Sequence, residues 1–86
     1  MATKMTLEES RIITAVLLTL DEQEYMIETM LYLAVGCDLR KCQDILGRME
    51  LAGTVKVDRQ HRVRITPEGR RWAKAVRQIL AKPAVA

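Results

Sequence analysis

Thr54-Val55-Lys56-Val57-Asp58-Arg59-Gln60-His61-Arg62-Val63-Arg64-Ile65 is the stretch that decides the fold. On either side of it apolar residues recur at helical spacing, but here the period drops to two. Thr54–Val57 and Arg62–Ile65 each alternate polar with apolar, the pattern of half-buried strands, and predict a hairpin with strands over about 54–58 and 62–66. Pairing Val57 with Val63 and Val55 with Ile65 puts four apolar side chains on one face. The Asp58–His61 link has no glycine, which argues against a two-residue turn and for a longer polar tip. His61 reads as a solvated turn residue. The same register sets Lys56 opposite Arg64, and like charges directly across a strand pair destabilise it by some tenths of a kcal/mol, about 0.2–1. Either a polyanion lies over the pair, or the two long side chains splay into water.

Before the hairpin, Asp38 is placed to cap a helix over about 39–52. Cys42, Ile45, Leu46 and Met49 form its inward line, while Arg40, Lys41, Gln43, Asp44, Gly47 and Arg48 point elsewhere, and Gly53 ends it. After the hairpin, Thr66 caps a helix over about 67–81, with Pro67 at its first position. Trp72, Val76, Ile79 and Leu80 make an apolar stripe among Arg70, Arg71, Lys74 and Arg77. Pro83 stops this helix and a frayed 84–86 tail is expected.

At the other end, Thr6-Leu7-Glu8-Glu9 has the form of a capping box and starts a helix over about 7–20. Ile12, Ile13, Val16, Leu17 and Leu20 recur at helical spacing, widened by Ala15 and Leu18. One stripe suffices for a surface helix. This one is either shared between the chain's own core and a partner copy, or wrapped by its own chain. Asp21-Glu22-Gln23-Glu24 closes it and offers a second box for a helix over about 27–35, which Gly36 stops. Met5, Met26, Met30 and Met49 read as core packing.

The chain has 86 residues, 49% of them apolar and 29% charged, which suits one globular domain over 1–86. The greasiest stretch, Ile12–Leu20, is broken by Thr14 and Thr19 and falls short of the ~18 apolar residues of a membrane span. No signal peptide pattern opens the sequence, so a cytoplasmic setting is expected. Two cysteines make no disulfide framework. On one helix the Cα atoms of Cys37 and Cys42 would stand roughly 8–9 Å apart, beyond bridging range. Cys42 then reads as a small core residue and Cys37 as an exposed turn residue. One histidine and two cysteines do not fill a zinc site, and neither a metal nor any other cofactor is expected. Charge is divided unevenly: residues 1–38 hold two basic against seven acidic side chains, net −5, and residues 39–86 hold twelve against four, net +8. A basic half suggests a polyanion, usually nucleic acid, or else a solvated basic surface.

Helix, helix, turn, helix, hairpin, helix is the layout of a winged helix-turn-helix domain: mainly α with a small β-hairpin (α+β), a three-helix core, a two-stranded wing and a C-terminal helix. Leu46-Gly47-Arg48-Met49-Glu50-Leu51-Ala52-Gly53-Thr54-Val55 resembles the end of the recognition helix in MarR-like and ArsR-like bacterial regulators. Ile65-Thr66-Pro67-Glu68-Gly69-Arg70-Arg71 resembles the "L-T-x-x-G-R/K" that follows their wing. Together the two cover about residues 38–77.

The resemblance implies sequence-specific binding of double-stranded DNA by a small transcriptional regulator, with the helix over 39–52 in the major groove. The start of such a helix meets base edges, which singles out Arg40, Lys41, Gln43 and Asp44, with Arg48 further along. Lys41, Asp44 and Arg48 also have the spacing of a surface salt-bridge ladder. Arg59 and Arg62 near the hairpin tip are the wing contacts to phosphate or minor groove, backed by Lys56 and Arg64. A homodimer is expected through Ile13, Leu17, Trp72, Val76, Ile79 and Leu80, in the cytoplasm and associated with the nucleoid. The chain departs from these families in two respects. It is shorter than MarR-like proteins, and Gly36-Cys37-Asp38-Leu39 lacks one cysteine of the ArsR-like metal motif.

The alternative is a winged-helix protein-interaction module docking through its apolar helices. RNA is disfavoured by the few aromatics available for stacking. An enzyme is not expected, since there is no Gly-rich phosphate loop, no triad spacing around His61 and no converging carboxylate pair.

Overall fold

The computed structural model describes residues 6–81. Met5, Pro83 and the 84–86 tail lie outside the described residues. Seven elements follow one another: α1 (Leu7–Asp21), β1 (Met26–Ile27), α2 (Glu28–Val35), α3 (Leu39–Leu51), β2 (Val55–Val57), β3 (Arg62–Ile65) and α4 (Pro67–Ala81). This is the winged helix-turn-helix architecture, α2 and α3 forming the helix-turn-helix and β2–β3 the wing.

Local chemistry sets most of the boundaries. At the start of α1 the Glu9 amide donates to Thr6 Oγ1 and the Thr6 amide donates to Glu9 Oε1, each at 3.1 Å, completing the capping box. The Lys41 amide donates to Asp38 Oδ1 at 2.7 Å to open α3. Gly36 closes α2 with φ of 82°, where a Cβ is disfavoured. At the end of α3 the Gly53 amide donates to the Glu50 carbonyl and the Thr54 amide to the Met49 carbonyl, both at 3.0 Å. These are the two bonds of a Schellman motif, with Gly53 at φ 82°. Thr66 Oγ1 accepts the Gly69 amide at 3.0 Å and so caps α4 behind Pro67.

The hairpin register is Val55 with Ile65, Lys56 with Arg64 and Val57 with Val63. It belongs to a three-stranded antiparallel sheet in the order β1-β3-β2. The hairpin wing is as expected, and β1 is an addition to its sheet: Met26 and Ile27 pair with Val63 and Arg62, so α2 begins at Glu28 and Ile27 is its cap. The Asp-x-x-Glu box expected to cap α2 does not form. Asp21 instead ends α1 and accepts ion pairs from Arg70 and Arg77 of α4, each at 3.3 Å.

The core is aliphatic. Val16, Leu20, Leu31, Cys42, Ile45, Leu46, Val55 and Val63 are fully buried, joined by Ile12, Leu17, Met49, Ile65 and Ala73. Met49 is core and Met26 packs on its edge, but Met30 stands 58% exposed on the outer face of α2, against expectation. The eight-residue α2 buries Glu28 and Leu31, and Met30 falls on its opposite side.

Glycine is obligatory at one place in the packing. A Cβ on Gly69 would run into the Thr54 carbonyl oxygen and come within 2.7 Å of Ile65 Cγ1. The first turn of α4 therefore lies directly on the strand base, which accounts for the glycine in the motif after the wing.

Candidate nucleic-acid interface

α3 is held by its inward line, Cys42, Ile45, Leu46 and Met49, all buried. At 100° per residue the opposite side carries Arg40, Gln43, Asp44 and Gly47, all exposed, with Leu51 at its end 91% exposed. Of the five candidates on α3, Arg40, Gln43 and Asp44 share this outer face. Lys41 and Arg48 lie on the flank turned to α1. There Lys41 pairs with Glu8, and Arg48 pairs with Glu9 and, at 3.2 Å, with Asp44. The Glu8 carboxylate raises the Lys41 pKa further above its ordinary value. Glu9 is held below the usual carboxylate range, first by the Thr6 hydrogen bonds and then by Arg48.

The wing presents Lys56 and Arg64 side by side on the outer face of the sheet, both exposed. Tyr25 lies on that face too. The guanidinium carbons of Arg62 and Arg64 sit 5.4 and 5.8 Å from its ring centroid, within cation–π range. Asp58 organises the tip. Its Oδ1 accepts the Gln60 amide at 2.8 Å and the Arg62 amide at 3.0 Å, and its Oδ2 accepts Arg62 Nε at 2.8 Å. The backbone bond from Arg62 leads the effects that hold the Asp58 carboxyl below its usual range. Arg59 is exposed at the apex. Among the described residues, Arg40, Lys56, Arg59 and Arg64 have no carboxylate within ion-pair distance, whereas Arg62 is bound to Asp58.

Two further contacts join the wing to the helix-turn-helix. Glu50 Oε2, at the end of α3, accepts the Val57 amide on the open edge of β2 at 3.2 Å. His61, in the left-handed region with φ of 61°, meets Glu28 twice. Its carbonyl accepts the Glu28 amide at 2.9 Å, and its Nδ1 lies 2.9 Å from Glu28 Oε2. His61 is thus a turn residue with a partner, not merely a solvated one. Tyr25, Glu28 and Glu50 were not among the candidates. A two-residue strand is too short to show alternation, and a glutamate at a helix end reads as solvated until the hairpin folds against it.

A groove of about 670 Å³ runs between α1, α3 and α4, lined by Ile13, Leu17, Ile45, Met49 and Trp72 among others. Of the residues expected at a dimer contact, Leu17 is buried in the chain's own core and Ile13 and Val76 are partly exposed. Trp72, Ile79 and Leu80 are 56%, 70% and 66% exposed. Behind α3, the Cys42 thiol is pushed up to about 12 by burial and by the neighbouring Cys37 thiol, which hydrogen-bonds to it. Cys37 lies in the turn ahead of the Asp38 cap, not on α3, so helical spacing does not separate the pair and the two thiols meet. Among the described residues no three His, Cys, Asp or Glu side chains converge as metal ligands, and no helix is long and apolar enough to cross a membrane.

No protein-family model matches the sequence, and no curated protein aligns with it. Among solved structures, a MarR family transcriptional regulator from Silicibacter pomeroyi DSS-3 superposes with a TM-score of 0.75 at 25% identity. The match covers 81% of this chain and 53% of that one, so this chain spans about half the length of the protein it resembles.

Proposed function

We propose that the chain is a transcriptional regulator that binds duplex DNA in a sequence-specific manner, with α3 in the major groove and the wing on the flanking backbone. The observation that carries this reading is the exposed cation set Arg40, Lys56, Arg59 and Arg64. It is spread over the outer face of α3 and the wing of a winged helix-turn-helix, in a chain resembling a MarR family regulator. The Lys56–Arg64 pair, like-charged and opposed across two strands, is relieved when a phosphate lies over it. Arg40, Gln43 and Asp44 read base edges. Lys41 and Arg48 join them only by letting go of Glu8 and Glu9. Arg59, Arg62, Lys56 and Arg64 hold phosphate or minor groove.

The chain acts as a homodimer, in the cytoplasm and on the nucleoid. Trp72, Val76, Ile79 and Leu80 form the contact, with Ile13 at the groove and Leu17 supporting it from beneath. The same exposed apolar stripe favours a second reading, a protein-interaction module docked through α4.

Binding to a mixed-sequence duplex across a salt series decides between them. A linear fall of log affinity with log salt supports the DNA reading, at about −0.9 per phosphate engaged. A folded protein that ignores DNA at low salt moves the assignment to the protein module.

A further inference from the structure

Besides the Glu50–Val57 bond and the β1 pairing, the wing is fastened to the start of α2 at its tip, and that fastening uses a histidine in a backbone region that non-glycine residues seldom enter. His61 has φ of 61°. Its carbonyl accepts the Glu28 amide at 2.9 Å and its ring Nδ1 stands 2.9 Å from Glu28 Oε2. Glu28 is one of only two buried polar or charged residues among those described, at 8% exposure, whereas the His61 side chain is 72% exposed. A buried carboxylate is retained at a cost unless it has a partner, and the partner here comes from the hairpin tip. The backbone bond also satisfies the first amide of α2, which has no side-chain cap.

We propose that His61 and Glu28 are positioning residues for the wing, clamping its tip to the start of α2 so that Arg59 and Arg62 are presented at a set distance from the outer face of α3. The assignment of Arg59 and Arg62 rests on the DNA-binding reading; the clamp itself does not. The charged and titratable groups around the contact are Glu28 from α2, Asp58 and Arg62 from the hairpin, and Cys42 from α3, which feels the Glu28 charge. Asp58 is committed to Arg62 and to two backbone amides, which leaves Glu28 as the carboxylate that His61 meets. The ring and the carboxylate stand at hydrogen-bond distance, so the tip is held against the start of α2.

The test uses His61→Gly and Glu28→Gln in the full chain, reading amide protection factors over residues 58–63 and affinity for a mixed-sequence duplex. Glycine suits a positive φ, so H61G keeps the turn and removes only the side-chain contact. Glutamine still accepts or donates to the ring but carries no charge. H61G is expected to lose protection at the tip by about fivefold or more and to weaken DNA binding in proportion. E28Q, which still bonds the ring, is expected to keep most of the wild-type protection and affinity. Unchanged protection in H61G overturns the clamp. Unchanged protection together with weakened affinity in H61G assigns His61 to direct contact with DNA. If the wild type binds no DNA, the protection factors still decide the clamp, and only the role of the two arginines falls.

Discussion

Lys41 Nζ reaches from the first turn of α3 to the Glu8 carboxylate in the first turn of α1, 33 residues earlier in the chain. Two turns along α3, Arg48 reaches Glu9 in the same way. Two of the cations on α3 are thus neutralised from within; the Lys41–Glu8 pair is solvated, and Arg48 is half exposed over a largely covered Glu9. Exposed pairs of this kind contribute little to stability. Their effect is on where positive potential appears.

Glu8→Gln and Glu9→Gln should therefore strengthen DNA binding at low salt. Each removes a negative charge near the interface and releases a cation, and the log–log salt slope should steepen by up to about one phosphate contact. Fluorescence anisotropy on one duplex over a salt series measures both. An unchanged slope would show that Lys41 and Arg48 do not meet phosphate.

Glu9 also makes stability depend on acid. Its folded-state pKa is depressed, so its contribution is fully present above the ordinary carboxylate value and is lost as pH falls through the lowered one. Wild type should lose stability progressively below about pH 4.5. E9Q should be flatter over that window, though less stable at neutral pH because its box bonds are no longer charge-assisted. Urea melts from pH 2.5 to 7 check the difference.

Gly69→Ala should destabilise the fold, because the new methyl meets the Thr54 backbone and not a yielding side-chain end. Overpacking of this type costs about 1–3 kcal/mol. For a chain of this size that lowers Tm by roughly 4–8 °C per kcal/mol, which thermal circular dichroism resolves. Gly47→Ala, with nothing within 4 Å of a Cβ, is the control and should be neutral or mildly stabilising.

The two thiols should react in order. Cys42 is buried, with its thiol pushed up to about 12, so it stays protonated, while Cys37 is partly exposed in the turn. A disulfide reagent at pH 8 should modify Cys37 first and reach Cys42 only on unfolding. Equal rates would mean that the start of α3 opens freely. Because the Cys42 pKa is raised on folding, the stability it contributes is present below the ordinary thiol value and lost as pH climbs from about 9 towards 12.

The elements readable from the chain were those whose cause is local. The Thr6–Glu9 box, the Asp38 cap, the glycines at 36 and 53 and the Thr66–Pro67 start each act within a few residues, and alternation alone sets the register of Val55, Lys56 and Val57 on β3. Contacts between distant segments left no local trace. Asp21 looked like a cap for the next helix and is instead an acceptor for Arg70, 49 residues away. Lys41 and Arg48 have the composition of groove residues, but their rotation about α3 is set by the buried line, which turns them to α1. Cys37 precedes the Asp38 cap, so the spacing of a single helix overstates its distance from Cys42.

Thr54 stands where three elements end. Its amide and hydroxyl both donate to the Met49 carbonyl at the close of α3. Its own carbonyl accepts the Thr66 amide at the hairpin base and leaves no room for a side chain on Gly69 of α4. Such a junction has no slack. The end of α3, the base of the hairpin and the start of α4 are therefore pinned to one residue, and none of the three can shift there without breaking a bond or a close contact of Thr54.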